Sequence, residues 1–67
     1  MEEELTRMKL RHTKEEINFL EQFLSSAKEN KFNYSPTLRN AAVIGYRLKI
    51  DELEKEVLEY ENMLSSR

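Results

Sequence analysis

The sequence predicts a mostly α-helical chain with one β-strand, and three observations lead there. Residues 5–11 alternate in polarity, Thr13 is followed by helix-start chemistry and an apolar stripe, and Ser35-Pro36 opens a long segment with a heptad pattern. A lone strand cannot satisfy its own backbone groups, so a partner strand from a second copy is the simplest expectation. The chain has 67 residues and no cysteine. That length supports one small domain with little core, and dimerisation would supply the rest.

In Leu5-Thr6-Arg7-Met8-Lys9-Leu10-Arg11, Thr6, Met8 and Leu10 point one way and Arg7, Lys9 and Arg11 the other. A period of two marks a half-buried strand. Residues 1–5 ahead of it read as a flexible acidic lead-in, with Glu2, Glu3 and Glu4 and no cation.

Thr13-Lys14-Glu15-Glu16 has the form of a capping box, in which Thr13 and Glu16 each accept from the other's backbone N–H. The helix it starts is expected over about residues 14–29. Ile17, Leu20, Leu24 and Ala27 recur at spacings of three and four and make one apolar face, joined by Phe23 and widened by Phe19. Asn30-Lys31-Phe32-Asn33-Tyr34 then breaks the period. Asparagine tolerates the left-handed conformation that ends helices, and the two aromatics are expected to fold back onto the core.

Ser35 is a good N-cap and Pro36 suits the first helical position, where its missing N–H is not needed. Nothing but Gly45 weakens the helix from there to about Ser65, a length of roughly 45 Å. Val43, Tyr46, Ile50, Leu53, Val57, Tyr60 and Leu64 form the heptad stripe, with charged residues between them. Leu38, Ala41, Ala42, Gly45 and Leu48 form a second, partly overlapping stripe. Gly45 in it suggests that two helices approach closely.

The net charge of −2 hides an uneven distribution. Residues 6–49 hold nine Lys or Arg against four Glu, and residues 50–67 hold two cations against six acids. A basic centre between acidic ends keeps nucleic acid among the candidate partners. No apolar run reaches the length of a membrane span and the N-terminus is acidic, so a soluble cytoplasmic location is expected. The lone His12 reads as a junction residue, since no second histidine or cysteine joins it at a metal. Ser35 lacks a neighbouring base and reads as a cap, so neither catalysis nor a cofactor is expected.

Strand, helix, loop, helix is the order of the ribbon-helix-helix DNA-binding proteins, and the chain resembles them over residues 6–48. Arg7-Met8-Lys9-Leu10-Arg11 looks like the ribbon strand of Arc-type repressors. Ser35-Pro36-Thr37-Leu38-Arg39-Asn40-Ala41-Ala42, followed by Tyr46, is similar to the start of the family's second helix. The resemblance implies an intertwined homodimer whose strands pair as an intermolecular two-stranded antiparallel β-ribbon, and residues 49–67, outside the resemblance, read as a heptad-patterned helical extension. The ribbon would enter the major groove of a double-stranded DNA operator. Arg7, Lys9 and Arg11 would read base edges, and Ser35 and Thr37 would hold phosphate at the second helix start.

Met8, Leu10, Leu38, Ala42 and Tyr46 would hold that dimer together, and the heptad residues Ile50, Leu53, Val57, Tyr60 and Leu64, which lie outside the resemblance, would zip the two chains, join dimers on adjacent operator sites or bind another protein. A nucleoid-associated repressor is the functional expectation, and an accessory DNA-binding protein of plasmid transfer or partition is its neighbour. The competing expectation, from a different class, is a helical hairpin without DNA binding, acting as a coiled-coil adaptor or as an inhibitor of another protein.

Overall fold

A computed structural model describes residues 2–66 as two long antiparallel helices joined by a tight turn. They are α1, Glu2–Lys28, and α2, Pro36–Ser65, of 27 and 30 residues. The rod measures 49 × 14 × 12 Å, close to the length of one such helix.

The described residues contain no strand. The expected ribbon-helix-helix fold, with its intertwined dimer and intermolecular β-ribbon, is therefore corrected: residues 5–11 are the second and third turns of α1. Leu, Arg, Met and Lys are among the strongest helix formers, and of these seven residues only Thr6 prefers a strand. Seven alternating residues are also a short signal against a stripe that runs the length of a helix. Glu2, Glu3 and Glu4 lie in the first turn of α1 rather than in a flexible lead-in, and carboxylates there complement the helix dipole. Met1 lies outside the described residues. Glu3 accepts from the Arg7 guanidinium at 2.9 Å, an i,i+4 pair in the favourable order of acid before base.

The helix start expected at Thr13 is also overturned. Thr13 lies in the middle of α1 and is buried. Thr6, Leu10 and Thr13 extend the stripe of Ile17, Leu20, Leu24 and Ala27 at spacings of three and four, and every one of these residues is buried or half-buried. They face Val43, Tyr46, Ile50, Leu53, Val57, Tyr60 and Leu64 of α2, which are likewise buried or half-buried. The heptad pattern is real, and it is satisfied inside one chain. A seven-residue repeat on each of two antiparallel helices gives a coiled-coil seam.

The turn is built by two asparagines. Asn30 has φ 55° and Asn33 φ 57°, a left-handed conformation that other side chains resist. The Asn30 N–H donates to the Ala27 carbonyl at 3.0 Å and the Lys31 N–H to the Ser26 carbonyl at 3.0 Å. This is the Schellman arrangement, with asparagine where glycine is usual. The Asn30 side chain then brackets Tyr34: its Oδ1 accepts from the Tyr34 N–H at 2.9 Å and its Nδ2 donates to the Tyr34 carbonyl at 3.2 Å. Phe32 packs its ring against Tyr34, centroids 5.4 Å apart, and Tyr34 is half-buried. Ser35 caps α2, its Oγ accepting from the Leu38 N–H at 3.3 Å, with Pro36 in the first turn.

Candidate functional site

Arg7, Lys9 and Arg11 were expected to share one face of a strand, and the helix separates them. Residues on an α-helix are about 100° apart, so Arg7 and Arg11 lie on one side and Lys9 on nearly the opposite one. All three are exposed. Lys14 joins Arg7 and Arg11 in a stripe, where its Nζ stands 3.7 Å from a Glu61 carboxylate oxygen across the seam. The helix thus assembles Arg7, Arg11 and Lys14, a trio that a period of two conceals.

Ser35 is occupied as a cap, and Thr37 is exposed in the first turn of α2. Among the residues expected to hold an oligomer, Tyr46, Ile50, Leu53, Val57, Tyr60 and Leu64 are in the seam with α1, as are Leu10 and, half-buried at its edge, Ala42. Met8 and Leu38 are not part of it and stand exposed.

The seam is thin. The buried apolar residues among those described are Ala27, Ile50 and Leu53, with Leu53 3% exposed. Against these stand ten large apolar side chains left exposed, among them Phe19 at 62%, Leu38 at 59% and Leu48 at 60%. Their placement follows from the seam. Lys14 and Glu61 mark one side of the hairpin, and residues seven apart repeat on that side: Arg7 and Glu21 in α1, Arg47 and Glu54 in α2. That side is polar. The opposite side carries Leu5, His12 and Phe19 of α1 and Leu38, Gly45 and Glu52 of α2, and next to the seam it has Phe23 and Ala42 toward the turn and the charged Lys9, Glu16, Lys49 and Glu56 away from it. Phe23 reaches over the seam to stack on Tyr46, ring centroids 6.0 Å apart and planes inclined by 18°. The half of this side nearest the turn is apolar, formed by Phe19, Phe23, Leu38, Ala42 and Gly45, with Ala41 and Leu48 on the back of α2.

Gly45 has no role inside the hairpin. A Cβ there would meet no atom within 4 Å, and its φ is not positive. Sequence reasoning singled out the small-residue stripe as a place of close helix approach, but spacing alone does not say which of two stripes faces the neighbouring helix.

Among the described residues no group of three or more His, Cys, Asp or Glu is placed to hold a metal ion, and no helix is long and apolar enough to cross a membrane. No protein-family model, curated protein or solved structure matches the chain.

Proposed function

We propose that the chain is a non-catalytic interaction module, a helical hairpin that works as a coiled-coil adaptor or inhibitor by presenting an apolar face to other helices. One observation carries this reading: among the described residues the seam buries three apolar side chains and leaves ten large ones exposed. An apolar surface rimmed by charge marks a place where proteins meet. Helix on helix is the recognition mode that fits, with anchors at positions i, i+3, i+4 and i+7 such as Leu38, Ala41, Ala42 and Gly45.

Photocrosslinking in cells tests the reading. The photoreactive residue p-benzoylphenylalanine replacing Phe19 is expected to give protein adducts, and the same probe replacing Glu21, on the polar side, few or none. Equal yields at both positions, or none at Phe19, would overturn it. Sequence-specific DNA binding, as a repressor or in plasmid transfer or partition, would have to proceed without a ribbon, from the Arg7, Arg11 and Lys14 stripe. Selection from random duplex DNA is the arm that would favour it: a recovered consensus, lost on substituting Arg11 by Ala and weakened steeply by salt, would replace the adaptor reading.

A further inference from the structure

Resting on the interaction-module reading, the geometry points to a second copy of this chain as the occupant of the apolar side, giving a four-helix bundle in which every neighbouring pair of helices is antiparallel.

The surface area argues first. A compact protein of 8.1 kDa exposes about 4500 Å². This chain exposes 5353 Å². The excess, about 850 Å², matches the roughly 800 Å² that each partner loses in an interface of standard size. Covering the side that carries Phe19, Phe23, Leu38 and Gly45 would return the chain to the exposure of a compact protein.

Charge argues independently for a copy of the same chain. After the acidic first turn, α1 carries Arg7, Lys9, Arg11 and Lys14 with no acid over residues 5–14, then Glu15, Glu16 and Glu21 with no cation over residues 15–27. Residues 36–50 of α2 carry Arg39, Arg47 and Lys49 with no acid, and residues 51–61 carry six acids against Lys55. Between the acidic first turn of α1 and Lys28 at its end, and along α2, the helices therefore both run from basic to acidic in the chain direction. Any two of them laid antiparallel bring basic halves beside acidic halves, and any two laid parallel bring like beside like. Within one chain this rule holds at Lys14–Glu61. The same rule across copies favours the second hairpin in the orientation that makes all neighbours antiparallel, the up-and-down pattern of four-helix bundles. Complementary potentials set register and orientation more than affinity. The affinity would come from the aromatic and leucine side chains and from the close backbone approach that Ala41, Ala42 and Gly45 permit.

Sedimentation equilibrium of the purified full chain tests this. The expected mass is twice 8.1 kDa at micromolar concentration. Phe19→Glu and Leu38→Glu are each expected to weaken the dimer at least tenfold while circular dichroism stays helical, because both positions are exposed and lie outside the seam. Gly45→Leu is the variant that keeps the test sharp, since its side chain enters open space in the single hairpin. It too should weaken the dimer at least tenfold without loss of helix. Glu21→Gln, on the polar side, should leave association unchanged. A dimer indifferent to all three apolar-side variants would place the interface elsewhere and overturn the inference. A monomer at 100 µM whose Phe19 probe still crosslinks to other proteins would overturn the inference and leave the interaction module standing. A monomer that crosslinks to nothing would overturn both.

Discussion

Replacing Thr13 by Val separates a helix that begins at Thr13 from one that runs through it. In the structure Thr13 is 9% exposed and sits in the seam between Leu10 and Ile17. Thr and Val have nearly equal helix propensities, so the change there is the exchange of a hydroxyl for a methyl group. Placing one more apolar group in the seam is worth about 0.8 kcal/mol, and removing a hydroxyl from a poorly hydrated position adds to it. The expected gain is about 1 kcal/mol, which for a domain of this size is a rise of roughly 4–8 °C in melting temperature. Had Thr13 been the N-cap of a capping box, its loss would cost about 1 kcal/mol and lower the melting temperature by a similar amount. The two cases differ in sign. Thermal and urea denaturation followed by circular dichroism, with wild type and variant at one protein concentration, measures it. A fall of several degrees for Thr13→Val would refute the continuous helix. Glu16→Ala, which would remove the reciprocal half of a capping box, is expected to change stability by less than about 0.5 kcal/mol.

Leu53→Ala removes the most buried large side chain of the seam, and a loss of about 2–5 kcal/mol is expected, enough to leave the chain largely unfolded at 25 °C by circular dichroism. Ser35→Ala removes the acceptor for the Leu38 N–H and should cost about 1 kcal/mol, read as a lower urea midpoint at unchanged slope. Asn33→Gly should be neutral or slightly stabilising because of its positive φ, whereas Asn30→Gly should destabilise, since it also removes both bonds to Tyr34. Glu61→Gln is expected to shift stability by less than about 0.5 kcal/mol, because the Lys14–Glu61 pair is about half exposed and widely spaced.

The second helix was legible in full. Ser35 and Pro36 are local signals with a single meaning, and seven apolar residues at regular three-four spacing outweigh one glycine. The turn was legible in kind, since Asn30 and Asn33 do what their residue type allows. The first helix was legible only from about Lys14 onward. Before it the seam positions are Thr6, Leu10 and Thr13, and two threonines do not register as an apolar stripe even though their methyl groups pack as one. The cations flanking Thr6 and Leu10 then produced an alternation that survives only as a pattern of letters. A partner-seeking strand was inferred from that, and the partner for the heptads turned out to be the chain's own first helix. The apolar side stayed hidden because Phe19 reads as a widening of the seam when only α1 is considered. It becomes a separate surface once the direction of α2 is known.

The asparagine turn also bears on how the hairpin comes into being. Contacts beside it, such as Ala27 with the start of the α2 seam, close a loop of few residues, whereas contacts at the far end, near Thr6 and Leu64, span almost the whole chain. Loop-closure entropy rises with that separation, so pairing started at the turn can lengthen one heptad at a time, each step shortening the gap for the next. A turn held by two left-handed asparagines and a bracketed tyrosine gives that process a preset starting point. The molecule should then close like a zipper from residues 27–46 outward and open from its free ends inward. Amide exchange would fall in protection along each helix away from the turn, a gradient that a core with a central nucleus would not show.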